Sequence, residues 1–218
     1  MKALRILIAD DHDLLRRGVK TLLLSHAGWE VCGEAKTGRE AVAKAEELGP
    51  DVVVLDIGMP DLNGVEAAKR IRKAAPNTEI LILSMHYSDQ LIREIVEAGV
   101  RGYIVKTDSD RDLIIAVETL AVHKPFFTPH ATEVILGSFN TGGPVKEVPE
   151  LVSQRLTSRE REIVQLLAEG KSSKEVALSL GISVKTAETH RANVMRKLEL
   201  HSVSELVRYA VRNQIIDA

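Results

Sequence analysis

Three acidic residues, which we call the acid trio, stand where apolar segments of the chain end. Asp10 and Asp11 follow the apolar run at 5–9, and Asp56 closes the run that begins at 51. Runs so continuous in Val, Ile and Leu are typical of parallel strands covered on both faces, whose carboxyl ends meet at one edge of the sheet. Three crowded carboxylates favour a hard cation, and Mg²⁺ prefers a few carboxylates with water and a phosphate oxygen. The pattern therefore predicts a Mg²⁺ site beside a phosphoryl group.

Two further polar residues fall at the same predicted edge. Ser84 ends the fourth apolar run and Lys106 follows the fifth, so a hydroxyl and an ammonium can each contact a phosphoryl oxygen. Taken singly, these residues have plainer alternatives. A lone aspartate is usually a solvated strand end and a lone lysine lies at the surface, while Tyr103 alone is more often a core aromatic than a switch. The predicted site rests on the whole set in this order.

The first half of the chain alternates apolar runs with amphipathic stretches, which is the pattern of repeated β-α units. The parallel strands are predicted at 5–9, 30–35, 51–56, 79–84 and 102–105. The helices are predicted to begin near Asp13, Thr37, Asn63, Ser88 and Ser109. Thr37 and Glu40 have the spacing of a capping box. Five strands and five helices indicate an α/β domain with a doubly wound parallel sheet of the flavodoxin type.

The second half of the chain has a different periodicity. After a predicted short helix at 129–138, the Gly- and Pro-bearing stretch that runs to Pro149 indicates a linker. From Leu156 the apolar spacing is purely helical and predicts an all-α domain. Its four helices are predicted after Thr157 and at 173–180, 184–198 and 203–211. Two helices joined by a tight turn are the arrangement with which DNA-binding domains place one helix in a major groove.

The composition fits a two-domain protein of a reducing compartment. The 218 residues carry a formal net charge of −2, divided into about −4 before residue 150 and about +2 from there onward. This favours an acidic module followed by a more basic one. The single cysteine, Cys32, excludes an intrachain disulfide framework. No apolar run approaches the roughly 20 residues of a membrane span, so we expect a soluble, cytoplasmic protein with no membrane partner.

Residues 1–123 resemble the receiver domain of two-component response regulators. The residues that carry the resemblance are, in order, Asp10-Asp11, Asp56, Met59-Pro60, Ser84, Tyr103 and Lys106. The resemblance implies that Asp56 is the phosphoacceptor and that the acid trio holds Mg²⁺ with the backbone carbonyl of Gly58. Lys106 would offset the charge of the transferring group. Ser84 would then bond the phosphoryl oxygens and Tyr103 would follow inward as the switch.

Residues 156–200 resemble the LuxR-type helix-turn-helix of the NarL/FixJ response regulators, which resemble this chain in both halves. The matching segments are Leu156 to Glu162, Ala168 to Gly170, Lys174 to Ala177, Ile182 to Thr186, His190 to Asn193 and Arg196 to Leu198. Ala187 departs from the family, which usually has Val there, and the smaller side chain should loosen the packing slightly.

The helix predicted at 184–198 is the one expected to read DNA. Its apolar positions are predicted to face the core: Val184, Ala187, Val194 and Leu198. Glu188 and Thr189 are short enough to reach base edges, and the basic side chains are expected at phosphates. The predicted contact set is Lys185, Thr186, Glu188, Thr189, Arg191, Ala192, Asn193, Arg196 and Lys197. A solvated charged face is the alternative for such a helix taken alone.

These resemblances predict a receiver at 1–123, a short helix and linker at 124–152, and a DNA-binding domain at 153–218. The family implies phosphorylation by a sensor histidine kinase, which promotes homodimerisation and binding to an inverted repeat, with RNA polymerase as a further partner. It also implies that the unphosphorylated receiver masks the recognition helix. Val207, Ala210 and Val211 either form a dimer surface or pack within one chain. Met85 and His86, which follow Ser84, predict that the phosphoryl group on Asp56 lasts for minutes or longer. We expect no enzymatic activity other than self-phosphorylation and slow self-dephosphorylation.

Two other kinds of protein remain open at this point. A magnesium-dependent phosphohydrolase would also use a nucleophilic aspartate, although its DxD motif is not met because Gly58 stands two residues after Asp56. A phosphate-independent scaffold or DNA binder would keep the receiver only as a dimer platform. Turnover of a small phosphate ester would favour the first, and DNA affinity unchanged by Asp56→Ala would favour the second.

Overall fold

The computed structural model describes residues 3–85, 88–107, 110–140 and 156–216. Within them, the N-terminal domain alternates strands and helices. The strands are β1 (Leu4–Ala9), β2 (Trp29–Ala35), β3 (Val52–Asp56), β4 (Glu79–Ser84), β5 (Gly102–Val105) and β6 (Phe126–Phe127). The helices are α1 (Asp13–Leu24), α2 (Gly38–Leu48), α3 (Gly64–Ala74), α4 (Asp89–Glu97), α5 (Asp110–Ala121) and α6 (Pro129–Asn140).

All strands run parallel, in the order β2-β1-β3-β4-β5-β6. The winding direction reverses between β1 and β3, and open α/β sheets bind ligands in the crevice at such a reversal. Successive residues of a strand point to opposite faces, so Val53 packs with residues of α2, α3 and α4, while Val54 packs with residues of α1 and α5. Helices therefore cover both faces and leave the carboxyl edge of the sheet open for chemistry.

A sixth strand, β6, extends the sheet beyond the five predicted strands. It pairs with Gly102 and Tyr103 of β5, and the Phe126 N–H donates to the Arg101 carbonyl at 2.8 Å. Two residues are too few to show an alternating pattern, which is why the sequence did not reveal this strand. The prediction of five strands was one short, and the sheet reaches into the segment predicted as linker. Residues 141–155, which make up most of that linker, lie outside the described residues.

Side-chain caps fix the helix starts next to the carboxyl edge. The hydroxyl of Thr37 accepts from the Glu40 N–H at 3.2 Å, whereas the Glu40 carboxylate accepts from the N–H of Lys36 rather than that of Thr37. The predicted capping box at α2 is therefore only half formed. Asn63 and Ser88 cap α3 and α4 in the same way. These caps satisfy N–H groups that have no partner inside the helix.

The C-terminal domain consists of four helices in the described residues: α7 (Ser158–Ala168), α8 (Ser173–Leu180), α9 (Val184–Lys197) and α10 (Val203–Arg212). Complete capping boxes begin α7 at Thr157 and α8 at Ser172, as predicted. Gly181 ends α8 with a φ of 63°, a conformation that glycine adopts without steric cost. A small core that includes Ile163, Val194 and Leu206 joins the helices.

Within the described residues, every helix is too short or too polar to span a lipid bilayer.

Candidate functional site

The ends of β1 and β3 bring the acid trio together. Asp10 and Asp56 are almost fully buried, at 1% and 2% exposure, and Asp11 is partly exposed beside them. One ligand atom from each of Asp10, Asp11, His12 and Asp56 lies within 4.8 Å of the others. His12 is exposed, with Nδ1 at 2.9 Å from an Asp11 oxygen. Imidazole is not a ligand that Mg²⁺ selects, so we assign His12 to the rim.

Lys106 is buried and faces two of these acids. Its Nζ lies 2.8 Å from Asp56 Oδ1 and 3.0 Å from Asp10 Oδ2, and its side chain is only 5% exposed. Burial lowers the pKa of Lys106, but the two carboxylates outweigh burial and leave that pKa raised, so the ammonium stays charged. Burial raises the pKa of Asp56 to about 6, with Lys106 opposing the rise and Asp10 adding to it. The surface-lysine alternative does not apply here.

The donor set fits a divalent cation. Asp56 Oδ2 is buried and accepts no hydrogen bond. Asp10 Oδ2 lies 3.0 Å from the Lys106 ammonium and Asp11 Oδ1 lies 2.9 Å from the His12 ring. Buried carboxylate oxygens without a donor are costly unless a cation compensates them. Lys106 supplies one positive charge against three carboxylates, so the cluster retains negative charge for a hard cation to neutralise. Gly58 is half-buried in the loop after β3, next to this cluster in the chain.

Arg16 of α1 supports Asp10 of the acid trio through its backbone carbonyl, a role that the sequence did not reveal. Its guanidinium is buried, donates to the Asp10 backbone carbonyl at 2.8 Å and to Glu34 at 3.1 Å, and pairs with Asp13. These carboxylates raise the pKa of Arg16 against its burial, with Asp13 the largest contributor. Only its position five residues after the acid pair hinted at a role, because sequence does not show that an arginine is buried.

The two predicted switch residues lie where the sequence placed them. Ser84 ends β4, is 4% exposed, and accepts a hydrogen bond from the Lys106 N–H at its carbonyl (2.7 Å). Tyr103 of β5 is fully buried among residues of the α2-α3-α4 face. The core-aromatic description of Tyr103 therefore holds in this conformation. Met85 is half exposed after Ser84, and His86 lies outside the described residues.

The outward face of α9 presents the predicted DNA-contacting residues. The exposed members are Lys185, Thr186, Glu188, Thr189, Ala192, Asn193 and Arg196. Arg191 and Lys197 are only half exposed, and Lys197 Nζ lies 2.8 Å from the Glu160 carboxylate of α7. The hydroxyl of Thr189 donates to the Lys185 carbonyl at 2.9 Å, so its methyl is the group left for a base. The described residues of the receiver do not cover this face, in contrast to the expected masking.

The predicted inner face of this helix is only partly confirmed. Ala187 and Val194 are buried and Leu198 packs against the domain core, but Val184 is 42% exposed. Val184 is the first helical residue after the Ser183 cap, where the helix has not yet turned fully onto the core. In α10, Ala210 is buried in the core of its own domain, while Val207 and Val211 are half-buried.

Comparison with known proteins agrees with this architecture. Residues 6–118 match the family described as response regulator receiver domain. Residues 154–210 match bacterial regulatory proteins of the luxR family. The response regulator protein VraR of Staphylococcus aureus is 37% identical over 213 residues, which are 98% of this chain and 99% of VraR. The chain belongs to the LuxR-type response regulators.

Solved structures of response regulators share this fold. A LuxR-family response regulator from Aurantimonas sp. SI85-9A1 is 30% identical, with a TM-score of 0.60 over 64% of this chain and 99% of that one. RcsB of Salmonella enterica serovar Typhimurium, bound to promoter rprA with the phosphomimetic BeF₃⁻, gives a TM-score of 0.63 at 24% identity. It covers 95% of this chain and 98% of its own, and this likeness concerns the fold alone. This response regulator thus joins a receiver domain to a LuxR-type DNA-binding domain and regulates transcription.

Proposed function

We propose that this response regulator is phosphorylated on Asp56 by a sensor histidine kinase in the presence of Mg²⁺ and then binds an inverted repeat in DNA as a homodimer. The observation that carries the proposal is the placement of Lys106 between Asp10 and Asp56 inside a buried acidic cluster. Such a group can offset charge that develops on a phosphoryl group during transfer. We place its action in the cytoplasm, with RNA polymerase as a further partner.

The transfer itself requires little covalent chemistry from the protein. A carboxylate oxygen of Asp56 forms the new bond to phosphorus while the bond from phosphorus to the donor histidine nitrogen breaks, and the released imidazole takes up a proton. Asp56 Oδ1 is held by Lys106 and by the Ile57 N–H at 2.8 Å, which leaves Oδ2 as the atom without a donor. Mg²⁺ held by the trio and the Gly58 carbonyl would neutralise the phosphoryl oxygens. Ser84 would bond them after transfer.

The same arrangement explains why we propose no further enzymatic activity. Self-phosphorylation and slow self-dephosphorylation are single-turnover reactions of this site, and the acyl phosphate is the stored signal. A phosphohydrolase of the DxD type would need a second acid two residues after the nucleophile, where Gly58 stands. Lys106 contacts Asp10 Oδ2 and Asp56 Oδ1, which leaves Asp56 Oδ2 as the oxygen that can bond to phosphorus.

Selection of genomic DNA fragments on the full-length protein tests the proposal. The two arms are protein with Mg²⁺ and beryllofluoride and protein without them, both at one salt concentration because binding is salt-dependent. We expect an inverted repeat to be enriched only with the phosphoryl mimic, and Asp56→Asn to remove the difference. Equal enrichment in both arms would mean a DNA binder that its receiver does not control, and no enrichment in either would remove the DNA-binding proposal.

A further inference from the structure

One side of α7 is turned toward the receiver rather than toward solvent. Gln165 of α7 is 1% exposed although it is polar and lies on the first helix of the small domain. Glu162, one turn earlier, is 2% exposed. Buried polar side chains are stable only when they are hydrogen-bonded. The hydrogen-bond and ion-pair partners of Gln165 and Glu162 therefore show which part of the receiver this face of α7 binds.

Gln165 binds the receiver backbone with both ends of its amide. Its Oε1 accepts from the Asn63 N–H at 2.8 Å, and its Nε2 donates to the Met59 carbonyl at 2.9 Å. Met59 and Asn63 belong to the loop of residues 57–63, which connects β3 to α3. A single side chain thus bridges two backbone groups of the loop that leaves the phosphoacceptor. We call Gln165 and these two groups the amide latch.

Charged pairs surround the amide latch. Glu162 of α7 pairs with Arg70 of α3 and lies 3.6 Å from Arg39 of α2. Lys171, which follows α7, pairs with Asp61 of the loop. The Lys171–Asp61 pair is partly exposed and should contribute little and weaken with salt. Glu162 is buried in the docked state, so loss of one of its partners would be more costly. The two short hydrogen bonds between Gln165 and the loop backbone supply the geometric specificity.

The loop that the latch grips is continuous with the phosphorylation site. Asp56 Oδ1 accepts from the Ile57 N–H at 2.8 Å, and the Ile57 carbonyl accepts from the Gly64 N–H at 2.9 Å. Gly38 and Gly64 stand against the loop so closely that a Cβ on either would collide with a backbone carbonyl. The loop is therefore packed tightly, and a shift near Asp56 must displace the groups that Gln165 binds.

The docked arrangement leaves the base-reading residues uncovered. Glu188, Thr189 and Asn193 of α9 are exposed while Gln165 is engaged. Docking instead buries the face of α7 that contacts the receiver, where Arg161 of α7 pairs with Glu94 of α4. Undocking therefore frees the domain to reposition toward a second copy, rather than uncovering the recognition helix.

We infer that the amide latch connects Asp56 directly to the DNA-binding domain, by a route separate from Ser84 and Tyr103. Phosphorylation of Asp56 shifts the loop of residues 57–63 and thereby changes how strongly α7 docks on the receiver. The inference rests on the proposed function, because it assumes that phosphorylation releases the domain. Thermodynamic linkage makes the two effects reciprocal. If a phosphoryl group at Asp56 weakens docking, loss of docking raises the affinity of the site for a phosphoryl mimic by the same factor.

Gln165→Leu in the full-length protein tests this route. The substitution removes both contacts with the loop backbone and the hydrogen bond from Gln165 Nε2 to the Glu169 carboxylate. It keeps the size and apolar stem of the side chain. We expect a larger radius of gyration by small-angle X-ray scattering, and beryllofluoride affinity in Mg²⁺, measured by calorimetry, that is tighter by about fivefold or more. Ser158→Ala, at an exposed position on the same helix, is the control and should match the wild type in both measurements.

Two results would overturn the inference. A Gln165→Leu protein that stays as compact as the wild type would mean that the latch does not hold the domains together. A protein that expands but binds beryllofluoride with wild-type affinity would mean that docking is not coupled to the site through this loop. Glu94→Arg combined with Arg161→Glu should restore the compact state lost in either single variant, which separates docking from misfolding. Neither result would count against the proposed function, as long as the wild-type protein still selects DNA only in the presence of beryllofluoride.

Discussion

The acid trio and the recognition helix hold their functional side chains in opposite environments, one buried and the other exposed to solvent. Asp10 and Asp56 are buried at the ends of β1 and β3, and the buried ammonium of Lys106 lies within 3.0 Å of both. Their positions are therefore fixed by the sheet. Glu188 and Asn193 stand on an open helix face with solvent around them. Fixed charges in a dry site act strongly on a reacting group, whereas exposed side chains can adapt to base edges and phosphates. Single substitutions should therefore have large effects at the first region and graded effects at the second.

The largest effect of a single substitution is expected at Asp56. Asp56→Asn keeps the shape of the side chain but removes the nucleophilic carboxylate, so we expect no phosphate incorporation from a small-molecule phosphodonor, measured by intact mass. Basal DNA affinity should stay at the wild-type level because α9 is untouched. Stable phosphate on another residue of the variant would contradict the assignment.

A second prediction concerns the support of the site by Arg16. Arg16→Met removes the charge-assisted hydrogen bond to the Asp10 carbonyl and leaves that carbonyl without its buried donor. Such bonds are worth about 1.5–3 kcal/mol, so we expect Mg²⁺-dependent beryllofluoride binding to weaken by about tenfold or more in calorimetry. Arg17→Met, at the exposed neighbour, is the matched control. Equal affinities of the two variants would show that the trio does not need this support.

The recognition helix should respond in a graded manner. We expect Glu188→Gln to relax discrimination at one base pair by about 1–3 kcal/mol, with other positions unchanged, as measured by competition binding on single-base variants of the selected repeat. Lys185→Ala should instead weaken all sequences alike and lower the salt slope by about one. Uniform weakening by Glu188→Gln would remove the base-reading role of that residue.

The smallest effect is expected at the ion pair that joins α7 and α9. Burial raises the pKa of Glu160, but the Lys197 ammonium and the hydrogen bonds of Thr157 outweigh it and leave the pKa lowered. A carboxyl with a lowered pKa stabilises the fold above its unfolded-state pKa, and that stability is lost as the pH falls through the lowered value. Glu160→Gln should therefore cost about 0.5–1 kcal/mol of unfolding free energy near pH 7, and less near pH 3. A cost that does not depend on pH would rule out the charge as its source.

The sequence revealed most of the fold because its signals are local and repeated. The trio, Ser84 and Lys106 follow strand runs long enough to register as strands, and the capping boxes at Thr157 and Ser172 fix two helix starts. The two-residue β6 gave no periodic signal. Arg16 and Gln165 became visible only through burial. Both bind backbone groups, six residues away for Arg16 and more than one hundred for Gln165, and such contacts leave no mark in the residue pattern.

The glycines that crowd the loop of residues 57–63 also restrict how this protein can diverge over generations. Gly38 and Gly64 cannot gain even a methyl group without a clash against backbone, so the loop has little room to drift. The α7 side of the contact with this loop is made by side-chain atoms of Gln165, so a substitution there changes the contact without placing a new Cβ against the loop backbone. Duplicated copies of such a regulator in one cell would therefore acquire different responses by changing the small domain, while the phosphoacceptor loop stays the same.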